Sequence, residues 1–130
     1  MDPARLKSIP LFADLSDRER QQVAQWADEV DVPEGKHLVD EGNFPHEFFV
    51  IEEGTADVLH GDEKLAELGP GDFFGEIALV EHLRRTASVV ATSPLRTIVM
   101  FGRDFGQMES QMPSVAARIR QAVEERRPQR

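Results

Sequence analysis

Residues 74–89, FGEIALVEHLRRTASV, hold a Gly-Glu pair at positions 75–76 and two arginines, Arg84 and Arg85, eight and nine positions behind the carboxylate. Gly75 permits a sharp turn and close approach of a ligand to the backbone. The run from Gly75 to Leu79 fits a one- or two-turn helix, and the first amides of such a helix have no intrahelical acceptors, so they serve as anion donors. Glu76 does not suit a bare anion site, because a carboxylate repels a phosphate. It suits a ligand that also carries a hydroxyl in need of an acceptor, and a phosphate beside a sugar hydroxyl is a nucleotide. A planar, permanently charged guanidinium supplies the counter-charge. Strand parity chooses between the two arginines. Arg85, Ala87 and Val89 share one face, Arg84, Thr86, Ser88 and Val90 the other, and the Ala/Val face reads as the interior. Arg85 is therefore the expected ligand and Arg84 its solvated neighbour.

The elements around this stretch read as α+β. Ser16-Asp17-Arg18-Glu19 is a capping box, and Val23, Ala24, Trp26 and Ala27 give one face of a helix expected to run to about Glu29. IPLFADL (residues 9–15) reads as a short packed turn. From Val30 the period becomes that of strands, with turns at Pro33-Glu34-Gly35, Gly54, His60-Gly61-Asp62-Glu63, Gly69-Pro70-Gly71-Asp72 and Thr92-Ser93-Pro94. Short strands at near-regular spacing predict an antiparallel β-roll of jelly-roll type. A short helix over Gly102–Gln111 follows. Pro113 then occupies a helix N1 position, with Val115, Ile119, Ala122 and Arg126 on one stripe. The expected organisation is a single domain over residues 1–130: a helical lead-in to about 29, a β-roll over 30–101 and C-terminal helices over 102–127.

Composition narrows the chemistry. The chain carries a formal net charge of −9 and no Cys, which excludes disulfides, thiolate metal sites and cysteine nucleophiles. Residues 113–130 hold five Arg against two Glu, so the rest of the chain is strongly acidic. Such a field repels nucleic acid, and direct nucleic-acid binding is not expected. No apolar run is long enough for a membrane span and MDPARLK lacks a signal peptide's apolar core, so a cytoplasmic protein is expected. The four His (His37, His46, His60, His82) form no His-x-His pair, and no metal site is expected. Ser88 and His82 lack an evident carboxylate to orient the imidazole, so no catalytic residues and no enzyme activity are expected.

FGEIAL followed by RRTASV resembles the phosphate-binding cassette of cyclic-nucleotide-binding domains, found in catabolite-activator-type transcription factors, protein kinase regulatory subunits and nucleotide-gated channels. The spacing from Glu76 to Arg85 is that of the kinase and channel members. LKSIPLFADLSDRE resembles the family's helical lead-in, Gly42, Gly54 and Gly71 fall at its roll turns, and Pro113 opens what resembles its lid helix. The resemblance implies an antiparallel β-roll with an N-terminal helix and a C-terminal helical lid, binding cAMP or cGMP without a further cofactor. It implies that Glu76 accepts from the ribose 2′-OH, that Arg85 pairs with the cyclic phosphate, and that the Ile77 and Ala78 amides donate to it. Thr86 would add a hydroxyl near the phosphate or touch a syn guanine. Phe74 and Leu68 would line the apolar wall beside Gly75, and Arg126, thirteen residues after Pro113, would approach the purine. The implied function is a regulatory module whose C-terminal helix moves on ligand binding, reading out through a protein partner or a homodimer formed by that helix. The alternative is the sensory part of a catabolite-activator-type regulator without its helix-turn-helix.

Overall fold

The capping box forms as its spacing requires: Ser16 Oγ accepts from the Glu19 amide at 3.1 Å and Glu19 Oε1 accepts from the Ser16 amide at 2.9 Å. It opens helix α1 (Asp17–Trp26), which ends three residues before the expected Glu29. Asp28 and Glu29 instead belong to strand β1 (Ala27–Val32), each residue paired in register with strand β8 from Met100 back to Leu95. A complete ladder to a distant strand overrides the local helical preference of an Asp-Glu pair. The computed structural model describes residues 1–42, 46–75 and 87–126.

Strands β2 (His37–Val39), β3 (Glu47–Glu53), β4 (Ala56–His60), β5 (Glu63–Leu68), β6 (Phe73–Phe74), β7 (Ser88–Ala91) and β8 (Leu95–Phe101) complete two antiparallel sheets. One sheet has the order β1-β8-β3-β6 and the other β2-β7-β4-β5. The turns fall where glycine and proline place them. Gly61 (φ 58) sits in a two-residue loop between the paired His60 and Glu63. Gly54 (φ 96) ends β3 where a Cβ would stand 2.3 Å from the Pro94 carbonyl oxygen, so no other residue fits there without backbone movement.

Helices α2 (Gly102–Gln111) and α3 (Pro113–Arg126) close the chain, with Pro113 at the first position of α3 as expected. The first sheet is covered on both sides, so its strands alternate between two cores. Phe48, Val50, Ile98 and Met100 face a helical layer built from Leu6, Phe12, Val23, Phe105, Met108, Val115 and Ile119. Phe49, Ile51 and Leu95 face the second sheet and its Ala56, Leu68, Val89 and Ala91. IPLFADL is the packed turn expected, with Ile9, Leu11, Phe12 and Leu15 all buried. It is preceded by a 3₁₀ turn, Pro3–Ser8, whose cap is the Asp2 carboxylate. The Arg20 guanidinium, almost fully buried, ties α1 to that segment by donating to the carbonyls of Ala13 and Leu15 and to Asp17. Among the described residues no helix is long and apolar enough to cross a membrane. The antiparallel β-roll with an N-terminal helix and C-terminal helices is thus the architecture that the strand and turn spacing predicts.

Candidate functional site

The two described ends of the 74–89 stretch lie on different sheets that face each other. Phe73 and Phe74 form β6 at the edge of the first sheet, paired to Val50 and Phe49. Ser88 opens β7, which sits between β2 and β4 in the second sheet.

The first end is set by the Gly69–Asp72 turn. Asp72 Oδ2 accepts from the Gly69 amide at 2.8 Å, and the Asp72 amide donates to the Gly69 carbonyl at 3.0 Å. Gly71 (φ 90) donates to the Ile51 carbonyl and the Ile51 amide donates to the Asp72 carbonyl, both at 2.8 Å. These bonds fasten the turn to β3 and deliver Phe74 to the interior of the roll. There its ring lies parallel to Phe49, with centroids 4.8 Å apart and planes 9° apart. Such offset stacking adds to the burial of both rings. Gly75 follows with φ 93, a left-handed conformation that favours glycine, and so turns the chain away from the strand.

The second end is held by Glu41, a residue with no sequence signal of its own. Its amide donates to Ser88 Oγ at 3.0 Å, its Oε1 accepts from the Gly61 amide at 2.6 Å, and its Oε2 lies 3.3 Å from His60 Nδ1. One residue thereby ties the β4–β5 turn, through its carboxylate, to the start of β7, through its backbone amide. In β7, Val89 and Ala91 are buried while Ser88 and Val90 are half-buried, so the Ala/Val face is the inner one, as parity predicts.

Of the sequence-predicted site residues, the structure gathers Phe74 and Leu68 into one inner cluster with Phe49, Ile51, Val89 and Ala91. Gly75 stands at its margin in the chain. Glu76, Ile77, Ala78, Arg84, Arg85 and Thr86 lie outside the described residues, and so does the Arg126 side chain, although α3 reaches that position. Phe49 was missed as a wall residue because its run EFFVIEE reads only as a buried strand. Asp72 reads only as part of a tight turn, and Glu41 was missed because its bonds join distant turns.

Among the described residues, the ionisable groups with shifted pKa values lie on the outside of the molecule. Glu67 and Lys64 on β5 hold each other's charge through a hydrogen bond, which lowers the former and raises the latter. Hydrogen bonds from Ser16 hold Glu19 below its ordinary value, and one from Arg20 does the same for Asp17. Arg5 is raised by its bond to the largely buried Glu52. Among the described residues no group of three or more His, Asp or Glu side chains is placed to hold a metal ion. The described part of the candidate site is a buried apolar cluster between the two sheets, bordered at both ends by the stretch that carries Glu76 and Arg85. It is suited to a flat apolar group.

Comparison with known proteins agrees with this geometry. The family model of the cyclic nucleotide-binding domain matches residues 29–111. A cAMP-dependent protein kinase regulatory subunit from Colletotrichum orbiculare is 34% identical over 113 residues; the match covers 82% of this chain but only 29% of that subunit. The regulatory subunit of a cAMP-independent protein kinase A from Trypanosoma brucei superimposes with a TM-score of 0.83 at 23% identity, over 93% of this chain and 44% of that one. The catabolite activator protein of Thermus thermophilus gives a TM-score of 0.79 at 26% identity, over 90% of this chain and 57% of that one. With the matched region running from within β1 to the end of α2, the chain belongs to the cyclic nucleotide-binding domain family.

Proposed function

We propose that residues 1–130 form one regulatory domain that binds cAMP between the two sheets and reports occupancy through α3. The observation that carries this is the convergence of Phe74, Leu68 and Val89 on one inner cluster at the two ends of the 74–89 stretch. A purine and ribose need such an apolar cleft, and the cassette residues need to border it.

In this reading Glu76 accepts from the ribose 2′-OH, Arg85 pairs with the cyclic phosphate, and the Ile77 and Ala78 amides donate to its oxygens. Stepping back by two from the inward Val89 gives Ala87 and then Arg85, which supports Arg85 over Arg84. Thr86 adds a hydroxyl near the phosphate, Gly75 allows the close approach, and Arg126 reaches toward the base from the end of α3. The acidic bulk of the chain makes a local arginine necessary for an anionic ligand. cAMP is favoured over cGMP because the curated relative is a cAMP-dependent regulatory subunit. The same relative favours a kinase-type regulatory role over the catabolite-activator alternative. The role is regulatory rather than catalytic and cytoplasmic, with a protein partner or a second copy engaged through α3.

Titration with cAMP and with cGMP by calorimetry tests the reading, and the absence of heat with both would overturn it. Truncating one partner of a shielded charge pair costs about 2–5 kcal/mol. Arg85→Ala is therefore expected to weaken cAMP binding by roughly 30-fold or more, each 1.4 kcal/mol being about tenfold. Unchanged affinity in that variant would remove Arg85 from the site.

A further inference from the structure

Helix α3 does not rest on the inner cluster of the roll. Its described apolar residues Val115 and Ile119 are buried in the helical layer together with Ile9, Leu11, Phe12 and Leu15, and no described residue of α3 belongs to the cluster between the sheets. Polar contacts from Arg118 also hold it there. The Arg118 guanidinium donates to the Pro10 carbonyl and to Asp14 Oδ2, joining α3 to the segment at the opposite end of the chain. Pro10 is also the residue that faces the cassette side. Its Cδ lies 3.2 Å from the position a Cβ on Gly71 would take, and Gly71 belongs to the turn that delivers Phe73, Phe74 and Gly75. Pro10 is thus held between α3 and the turn leading into the binding stretch.

We propose that Arg118 is an autoinhibitory latch. By gripping Pro10 and Asp14 it holds α3 on the helical layer, away from the roll, and so favours the form of the domain that binds cyclic nucleotide weakly. A ligand that is better enclosed when α3 moves must break these bonds, and its apparent affinity is reduced by the population of the latched form. The latch is modest by construction. Arg118 is 42% and Asp14 75% exposed, so the pair sits in water rather than in a low-dielectric interior. Breaking it is expected to tighten binding by about two- to fivefold, the scale of an exposed ion pair.

The affinity part of this proposal rests on the cyclic-nucleotide reading, so the test has two arms. In the first, cAMP affinity is measured for wild type, Arg118→Ala, Asp14→Asn and the double variant. Arg118→Ala makes the protein more negative and Asp14→Asn makes it less so, hence a purely electrostatic effect on an anionic ligand moves the two affinities in opposite directions. The latch requires both to tighten, with the double variant no tighter than the single ones. Opposite, unchanged or weakened affinities overturn it. In the second arm, amide hydrogen exchange is followed in the ligand-free proteins. Faster exchange in α3 (Pro113–Arg126) with α1 unchanged supports the latch, and equal exchange in α3 overturns it even if cAMP does not bind. Absence of cAMP binding by the wild type refutes the reading of the ligand, and the exchange arm then decides the latch alone. A urea unfolding curve for each variant separates release of α3 from loss of the whole fold.

Discussion

Phe48 and Phe49 are neighbours on β3 and both are almost fully buried, yet they serve different cores. Phe48 points into the helical layer, 5.0 Å from Phe105 and 5.7 Å from Phe73 between ring centroids. Phe49 points between the sheets and stacks on Phe74 at 4.8 Å. The helical layer is closed by helix faces, a buried arginine and the ends of the chain, so its role is to hold elements together. The inner cluster is closed by two sheets and bordered by the stretch that carries the charged residues of the site. The difference shows how one strand of alternating direction separates the helical-layer core from the proposed binding wall by a single peptide unit.

The largest expected effect breaks both sides of this comparison. Phe48→Ala and Phe49→Ala are each expected to cost about 3–5 kcal/mol in urea unfolding. The milder Phe48→Leu and Phe49→Leu, each costing about 1–1.5 kcal/mol, keep the fold and separate the roles. cAMP affinity is expected to fall only in Phe49→Leu, and an equal fall in both would dissolve the distinction between the two cores. Next comes Gly54→Ala at the corner joining β3 to β4. A positive φ and a Cβ 2.3 Å from the Pro94 oxygen are expected to cost about 2–4 kcal/mol. A stability loss below 0.5 kcal/mol, roughly the scale of an unconstrained surface change, would show that the corner can relax.

Smallest is Ser16→Ala in the helical layer, expected to cost about 1 kcal/mol through the lost cap. The other half of the capping box, Glu19, sets the pH behaviour of the same cap. Glu19 is held below its ordinary value chiefly by hydrogen bonds from Ser16, so the stabilisation it brings is present above the ordinary carboxylate pKa and is lost as pH falls through the lower folded value. The gap in urea midpoint between wild type and Glu19→Ala, which removes the carboxylate that accepts from the Ser16 amide, is therefore expected to shrink below about pH 4. A gap that stays constant into strong acid would show that the Glu19 half of the capping box contributes nothing.

The residues proposed to carry the site's chemistry stand out in the sequence. Gly75, Glu76 and the arginine pair carry their meaning in side-chain type and spacing, and the parity of TASVV marks the Ala/Val face that the structure shows turned inward. The wall of the site was less legible. Phe49 reads only as part of an apolar strand until Phe74 is stacked on it, and β6 is two residues long, too short for any period to announce. Glu41 acts through bonds to Gly61 and Ser88, twenty or more positions away, that its own neighbourhood does not reveal.

By itself, then, the sequence determined the local events: the capping box at Ser16, the proline that opens α3, the glycine turns and the composition of the binding stretch. These depend on residues within one turn of each other, and their energetics act before any distant partner is in place. Tertiary structure alone decided where α1 yields to β1, that β6 exists, which face of β3 meets the ligand wall, and that Arg118 reaches back across the chain to Pro10 and Asp14. Each of those outcomes needs a partner tens of residues away, because ladder register, facing cores and long-range ion pairs are properties of the packed chain rather than of any segment of it.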